Sequence, residues 1–233
     1  MIRLDFGKPT QEKEQAFAHI PRTSPTLTEL LCQIIMKLSD LGRALARFLG
    51  NRKREDTMPN IQDYVLWRGD LPLERVPLCD VDALLLSYLS YMPYDHIVGD
   101  AFDEGISLRD AAQKLLEVNE RDKTPLAYNV REDRKLLAAL MESARFRDIR
   151  LVGYVNKVDP EQEEQFAAVT YLLGEGRAFV AFRGTDNTVV GWKEDFNMAF
   201  ERDVPSQVSA RAYLERVAPT VRGRIYVGGH SKG

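Results

Sequence analysis

The sequence predicts an α/β fold, a mixed sheet layered with helices. Two observations carry that expectation. The apolar period changes from three-and-four to two near Arg150, which separates a helical half from a stranded half. The chain then closes on Arg224-Ile225-Tyr226-Val227-Gly228, a strand-like run, followed by Gly229-His230-Ser231-Lys232-Gly233. A strand, a glycine turn and a serine at its apex describe a way of presenting a hydroxyl at the carboxyl edge of a sheet.

The helical half holds three segments. A buried helix is predicted over Val81–Met92, with Leu84, Leu85, Tyr88, Leu89 and Met92 on one face, Asp80 as its cap and Pro93 as its stop. Ser107 caps a second helix that runs to about Asn119. A third spans roughly Arg131 to Phe146, with Leu136, Leu137, Leu140 and Met141 inward. The stranded half predicts Leu151–Val158, Gln165–Leu173 and Arg177–Arg183. Asp159-Pro160-Glu161 and Gly174-Glu175-Gly176 are turn sequences between them, so these strands are expected to be antiparallel neighbours. A helix or lid segment over Gly191–Phe200 follows, then a firmer helix over Pro205–Val217. The apolar residues of that helix are Val208, Ala212, Tyr213, Leu214 and Val217. Strand, helix, strand implies a sheet that is antiparallel on one side and parallel next to the serine.

Residues 1–57 have a different texture. The first 25 are polar and irregular. Leu27, Leu30, Leu31, Ile34, Ile35, Leu38, Leu41, Leu45 and Phe48 then recur at helical spacing, with Thr26 or Thr28 before them and Gly50 after. This amphipathic helix of residues 27–49 is expected to dock on the domain, to self-associate, or to lie on a membrane surface through Arg43, Arg47 and the Arg52–Arg54 cluster. The chain is thus expected to comprise a helical N-terminal extension over 1–57 and a domain over 58–233.

The bulk composition excludes several classes. A formal net charge of −3 offers no basic excess for nucleic acid. Cys32 and Cys79 stand far apart, without metal-ligand spacing, and read as small buried hydrophobes in a reducing compartment. The N-terminus lacks the basic and apolar regions of a signal peptide, and no apolar run approaches the ~18 residues of a membrane span. A cytoplasmic location is expected, with no metal and no organic cofactor.

Gly229-His230-Ser231-Lys232-Gly233 reads G-x-S-x-G, the nucleophile elbow of α/β-hydrolases. Ser231 is the expected nucleophile, and Gly229 and Gly233 let the strand and the helix expected after it approach without Cβ clashes. An oxyanion hole needs two N–H donors, one from the residue after the nucleophile and one from a loop after a neighbouring strand. Those are the N–H groups of Lys232 and Thr185. Gly184 shapes the loop, and Asp195 is placed to accept from the Thr185 hydroxyl. The alternative is a plain strand-end turn with Arg183 in a surface ion pair.

Phe182-Arg183-Gly184-Thr185, then Trp192 and Asp195, then Gly-His-Ser-Lys-Gly, resembles the class 3 lipase branch of α/β-hydrolases. More narrowly, Asn60-Ile61-Gln62-Asp63-Tyr64, Trp67-Arg68-Gly69-Asp70 and Asp80-Val81-Asp82, with the same ending, resemble the Mbeg1-like family, a domain of unknown function. The resemblance covers about Met58 to Gly233, and by its extent alone makes Met58 an alternative start. It implies an α/β-hydrolase fold and a lipase- or esterase-like serine hydrolase of unknown substrate. It also implies Ser231 as nucleophile, with Thr185 and Lys232 as the oxyanion hole. A small-molecule acyl ester or lipid-like substrate is the implied partner of the full-length parent.

The departure from the family lies at the end. The triad acid and base are expected after the elbow, and the only histidines are His19, His96 and His230. The chain as given is therefore expected to be an N-terminal fragment with little activity, its parent carrying a downstream Asp and His. One sheet edge is then expected to be bare. The alternative is a non-catalytic binding or oligomerisation protein on a hydrolase-like fold.

Overall fold

A computed structural model of the chain describes residues 2–3, 59–186 and 188–233. The expected helix over 27–49, His19 and Cys32 lie outside the described residues. In order, the elements are β1 (Ile2–Arg3), α1 (Ile61–Arg68), α2 (Asp80–Leu89), β2 (Ile106–Ser107), α3 (Leu108–Asp122), α4 (Val130–Glu142), β3 (Arg150–Asp159), β4 (Glu164–Gly174), β5 (Arg177–Phe182), α5 (Val189–Asn197), α6 (Pro205–Val217) and β6 (Ile225–Gly229). A single 3-10 turn, Ala218–Thr220, leads from α6 towards β6.

One six-stranded sheet orders the strands β1-β6-β5-β4-β3-β2. The pairs β2–β3, β3–β4 and β4–β5 are antiparallel, and β5–β6 is parallel. The mixed sheet follows from connection length. The links of four residues (160–163) between β3 and β4 and of two residues (175–176) between β4 and β5 can only return a strand antiparallel, whereas the β5–β6 connection contains two helices and brings β6 alongside β5 in parallel. The edge of β6 expected to be bare is partly covered, because Ile2 and Arg3 pair antiparallel with Val227 and Tyr226. The irregular composition of the first 25 residues gave no signal for so short a strand.

The central strand β4 is buried on both faces, and its residues alternate between two cores. Val169, Tyr171 and Leu173 join Phe179 and Ala181 against Leu85, Leu89 and Leu137 from the N-terminal helices and Phe146 from the turn after α4. Phe166 and Ala168 join Val180 and Phe182 against Tyr213 and Val217 of α6. Helices therefore cover both faces of the sheet. In the second core the Tyr213 hydroxyl sits 2.8 Å from Thr170 Oγ1 and donates to the Gly153 carbonyl at 2.7 Å, so the buried phenol is satisfied.

Two helix faces differ from expectation. In α2, Leu84 points to solvent, and the buried set is Asp82, Leu85, Leu86, Ser87 and Leu89. The cap is Cys79, whose N–H donates to Asp82 at 2.8 Å, in place of Asp80. In α6, Val208 and Ala212 are exposed, while Tyr213 and Val217 are buried. A helix laid on one sheet face buries a narrow stripe, and a single apolar residue beside it can remain outside.

The helical layer is held by a buried ion pair absent from any periodicity. Arg145, fully buried, donates to both carboxylate oxygens of Asp82, at 2.8 and 2.5 Å. Its remaining donors reach the carbonyls of Leu71, Val76 and Pro77. Asp82 also accepts from the Tyr64 hydroxyl at 2.8 Å. Burial opposes ionisation of Asp82 most strongly. The Arg145 fork, the Cys79 N–H and the Tyr64 hydroxyl together outweigh it and hold the carboxyl below its usual range.

Replacing Asp82 with alanine strands the Arg145 charge in the core and should cost about 3–5 kcal/mol of stability in urea unfolding. Because the Asp82 pKa is depressed on folding, its contribution is complete above the ordinary aspartate value of about 4 and is lost as pH falls through the lower folded value. Unfolding series between pH 7 and pH 5 should therefore show no loss from Asp82, with the decline confined to more acid solution.

Candidate active site

The site forms where β5 and β6 run parallel. The register places Ala181 beside Gly228 and Phe182 beside Gly229, so both strands end at the same level. The loop after β5 starts at Arg183, and the turn after β6 starts at His230. Each chain end thus delivers its loop to one edge of the sheet.

Ser231 occupies the tip of the second turn with φ of 61°, a left-handed conformation unusual for a residue with a Cβ. The turn is closed by the Gly233 N–H, which donates to the His230 carbonyl at 3.1 Å. Ser231 is exposed. No described residue hydrogen-bonds its hydroxyl.

Glycines let the two loops touch. A Cβ built on Gly184 would lie 2.1 Å from the His230 carbonyl oxygen and 2.8 Å from Ser231 Cβ. One built on Gly229 would lie 2.1 Å from the Gly233 carbonyl carbon, and one on Gly233 would lie 2.2 Å from the Phe182 carbonyl oxygen. No side chain fits at any of these places without moving backbone.

Thr185 follows Gly184, and its hydroxyl lies 2.8 and 2.6 Å from the two carboxylate oxygens of Asp195 on α5. The helix begins at Thr188, whose hydroxyl accepts the Gly191 N–H at 3.1 Å. Asp186 accepts from the Thr188 N–H and hydroxyl, which fixes the link between loop and helix. Neither the Thr185 N–H nor the Lys232 N–H has an acceptor among the described residues.

The Lys232 side chain turns inward, opposite in sense to the exposed serine beside it. Its ammonium donates to Glu194 at 2.6 Å and to the Gln165 carbonyl at 3.2 Å. Only 7% of the Lys232 side chain and none of Glu194 is exposed. Sequence reading missed Glu194, because an acidic residue beside Asp195 on a short helix reads as solvated.

Beside the elbow, His230 is committed to Tyr91. A 3.0 Å hydrogen bond joins Nδ1 to the Tyr91 hydroxyl, and the rings meet edge to face at 5.5 Å. Tyr128 packs on Tyr91 at 5.0 Å. Burial, with a further contribution from the Tyr128 hydroxyl, pushes the Tyr91 phenol well above its usual range, so it stays protonated at neutral pH. His96 lies on the exposed loop after α2 with φ of 62° and hydrogen-bonds neither Ser231 nor Thr185. Among the described residues the serine has no histidine partner.

Residues 140–233 match the Mbeg1-like family model. The Mbeg1-like segment runs from the end of α4 to Gly233. It contains β3–β6, the Gly184–Thr185 loop, α5 and the serine turn. The motif residues Asn60–Tyr64 and Asp80–Asp82 lie before it. In the structure they cap α1 and anchor Arg145. No curated protein and no solved structure matches the chain. Among the described residues there is no helix long and apolar enough to cross a membrane, and no His, Cys, Asp or Glu cluster suited to a metal.

Gly184→Ala tests the contact that brings the Mbeg1-like loop and turn together. The added methyl overlaps backbone, and overpacking of this kind costs about 1–3 kcal/mol. Its thermal unfolding midpoint should fall, whereas Gly99→Ala, where a Cβ meets nothing closer than 4.0 Å, should leave the midpoint nearly unchanged.

Proposed function

We propose that the chain carries the nucleophile and oxyanion half of a serine hydrolase of the α/β-hydrolase type, acting on carboxylic esters. The observation that carries this reading is the left-handed Ser231 at the tip of β6, with the Gly184–Thr185 loop packed against it. A strained serine at the end of a parallel strand presents its hydroxyl outward, free of its own strand. The unpaired N–H groups of Thr185 and Lys232 are the donors for the oxyanion that forms when the hydroxyl attacks an ester carbonyl. Asp195 holds Thr185 from the far side and keeps that donor in place.

The substrate class follows from the surroundings. Val189, Trp192 and Phe196 on α5, with Phe200 just beyond it, are exposed large apolar residues directly after the oxyanion loop. A long-chain acyl group fits such a surface better than a charged peptide does. In this reading the Ser231 hydroxyl gives its proton to a general base as it attacks the ester carbonyl, the two N–H groups hold the oxyanion, and the base returns the proton to the departing alcohol as the intermediate collapses to an acyl-serine, which water then cleaves.

A base is required for the first step, and the described residues offer Ser231 none.

Two measurements follow. In the complete natural chain that contains these residues, a fluorophosphonate probe should label Ser231, and Ser231→Ala should abolish labelling. Labelling elsewhere, or none, sinks the enzymatic reading and leaves the binding-protein alternative. Residues 1–233 alone should label slower by ~10⁴-fold or more, the order of loss seen when a triad member is removed. Rapid stoichiometric labelling of the 233-residue chain would show that the base lies within it.

A further inference from the structure

We infer that Glu194 is a positioning residue for the oxyanion hole, acting through the side chain of Lys232; this rests on the reading of the Lys232 N–H as an oxyanion donor. The backbone donor of an elbow must be held where the oxyanion will develop, and a shift of about 1 Å is enough to cost up to 10²-fold in rate. The turn from His230 to Gly233 has a single backbone hydrogen bond of its own, from the Gly233 N–H to the His230 carbonyl. A buried tether on Lys232 supplies what that bond alone does not.

The tether is a four-way junction. Glu194 Oε2 accepts from Lys232 Nζ at 2.6 Å and from the Gln165 N–H at 3.0 Å, while Oε1 accepts from the Ser206 N–H at 2.8 Å. Three elements converge on one carboxylate: the start of β4, the first turn of α6, and the serine turn. Glu194 itself lies on α5, next in sequence to Asp195, which holds Thr185. One turn of α5 therefore grips both oxyanion donors, through Asp195 on one side and through Glu194 on the other. A carboxylate with this many donors is strongly ionised despite its burial. Burial opposes the charge most, but the Lys232, Gln165 and Ser206 hydrogen bonds outweigh it and keep the carboxyl below its usual range.

A merely structural role would show itself only in folding, so the variants are chosen to separate the two. Glu194→Gln leaves Lys232 buried without its counter-charge and should lower both the melting temperature and the rate of fluorophosphonate labelling at Ser231. Glu194→Gln with Lys232→Met removes the stranded charge and should recover most of the melting temperature. Labelling in the double variant should stay at least about tenfold below wild type, because the tether is still missing. Recovery of labelling together with stability would overturn the inference. An independent readout is the Lys232 backbone amide resonance in an 15N-labelled chain. It should move in Glu194→Gln, where residue 232 is still lysine, while those of β3 remain in place; an unmoved Lys232 amide overturns the positioning role whatever the labelling shows. Absence of labelling in the wild-type chain, with the Lys232 amide still displaced in Glu194→Gln, would fault the enzymatic reading and leave the tether standing.

Discussion

The parallel pairing of β5 with β6 is the constraint on which the rest of the structure depends. It sets Phe182 level with Gly229, and two loops that are more than forty residues apart in sequence then leave the sheet side by side. Everything local to the site follows from that level. Gly184 must lack a side chain because the His230 carbonyl is already there, and the left-handed Ser231 stands beside that contact. A shift of register by one residue would reverse which side chains face each core and separate the loops.

Buried charge plays a second part on each side of the sheet. Asp82 with Arg145 ties the N-terminal helices to the loops between them, and Glu194 with Lys232 ties α5 and α6 to the serine turn. Such pairs add little net stability over apolar packing, but each specifies one geometry, since either charge left alone is costly. In the first pair the geometry is that of a scaffold. In the second it is that of the backbone N–H next to the exposed Ser231.

The division of labour on α5 connects these features to function. Its inward residues Glu194 and Asp195 grip the two loops, while its outward residues Val189, Trp192 and Phe196 meet solvent. A short helix can do both because residues one position apart lie about 100° apart around its axis. The same element that holds the two loops thus presents an apolar face beside them.

Strands β3–β6, the turns between β3, β4 and β5, the α6 span and the serine motif were legible in the sequence, because period, glycine spacing and β-branched residues act locally. The helix faces were read less well: Leu84 and Val208 are apolar and in phase, yet which stripe is buried depends on how a helix sits on its sheet. The pairing of Ile2 and Arg3 with β6 left no local trace at all. By itself the sequence determined that a serine would stand at the end of a strand, with a glycine-threonine loop available to it. Only the tertiary structure decided that the loop and the turn touch, that His230 goes to Tyr91, and that Lys232 is buried on Glu194. The reason is physical: propensity and pattern act over a few residues, whereas a close backbone approach and a buried ion pair exist only between segments that the sheet has already brought together.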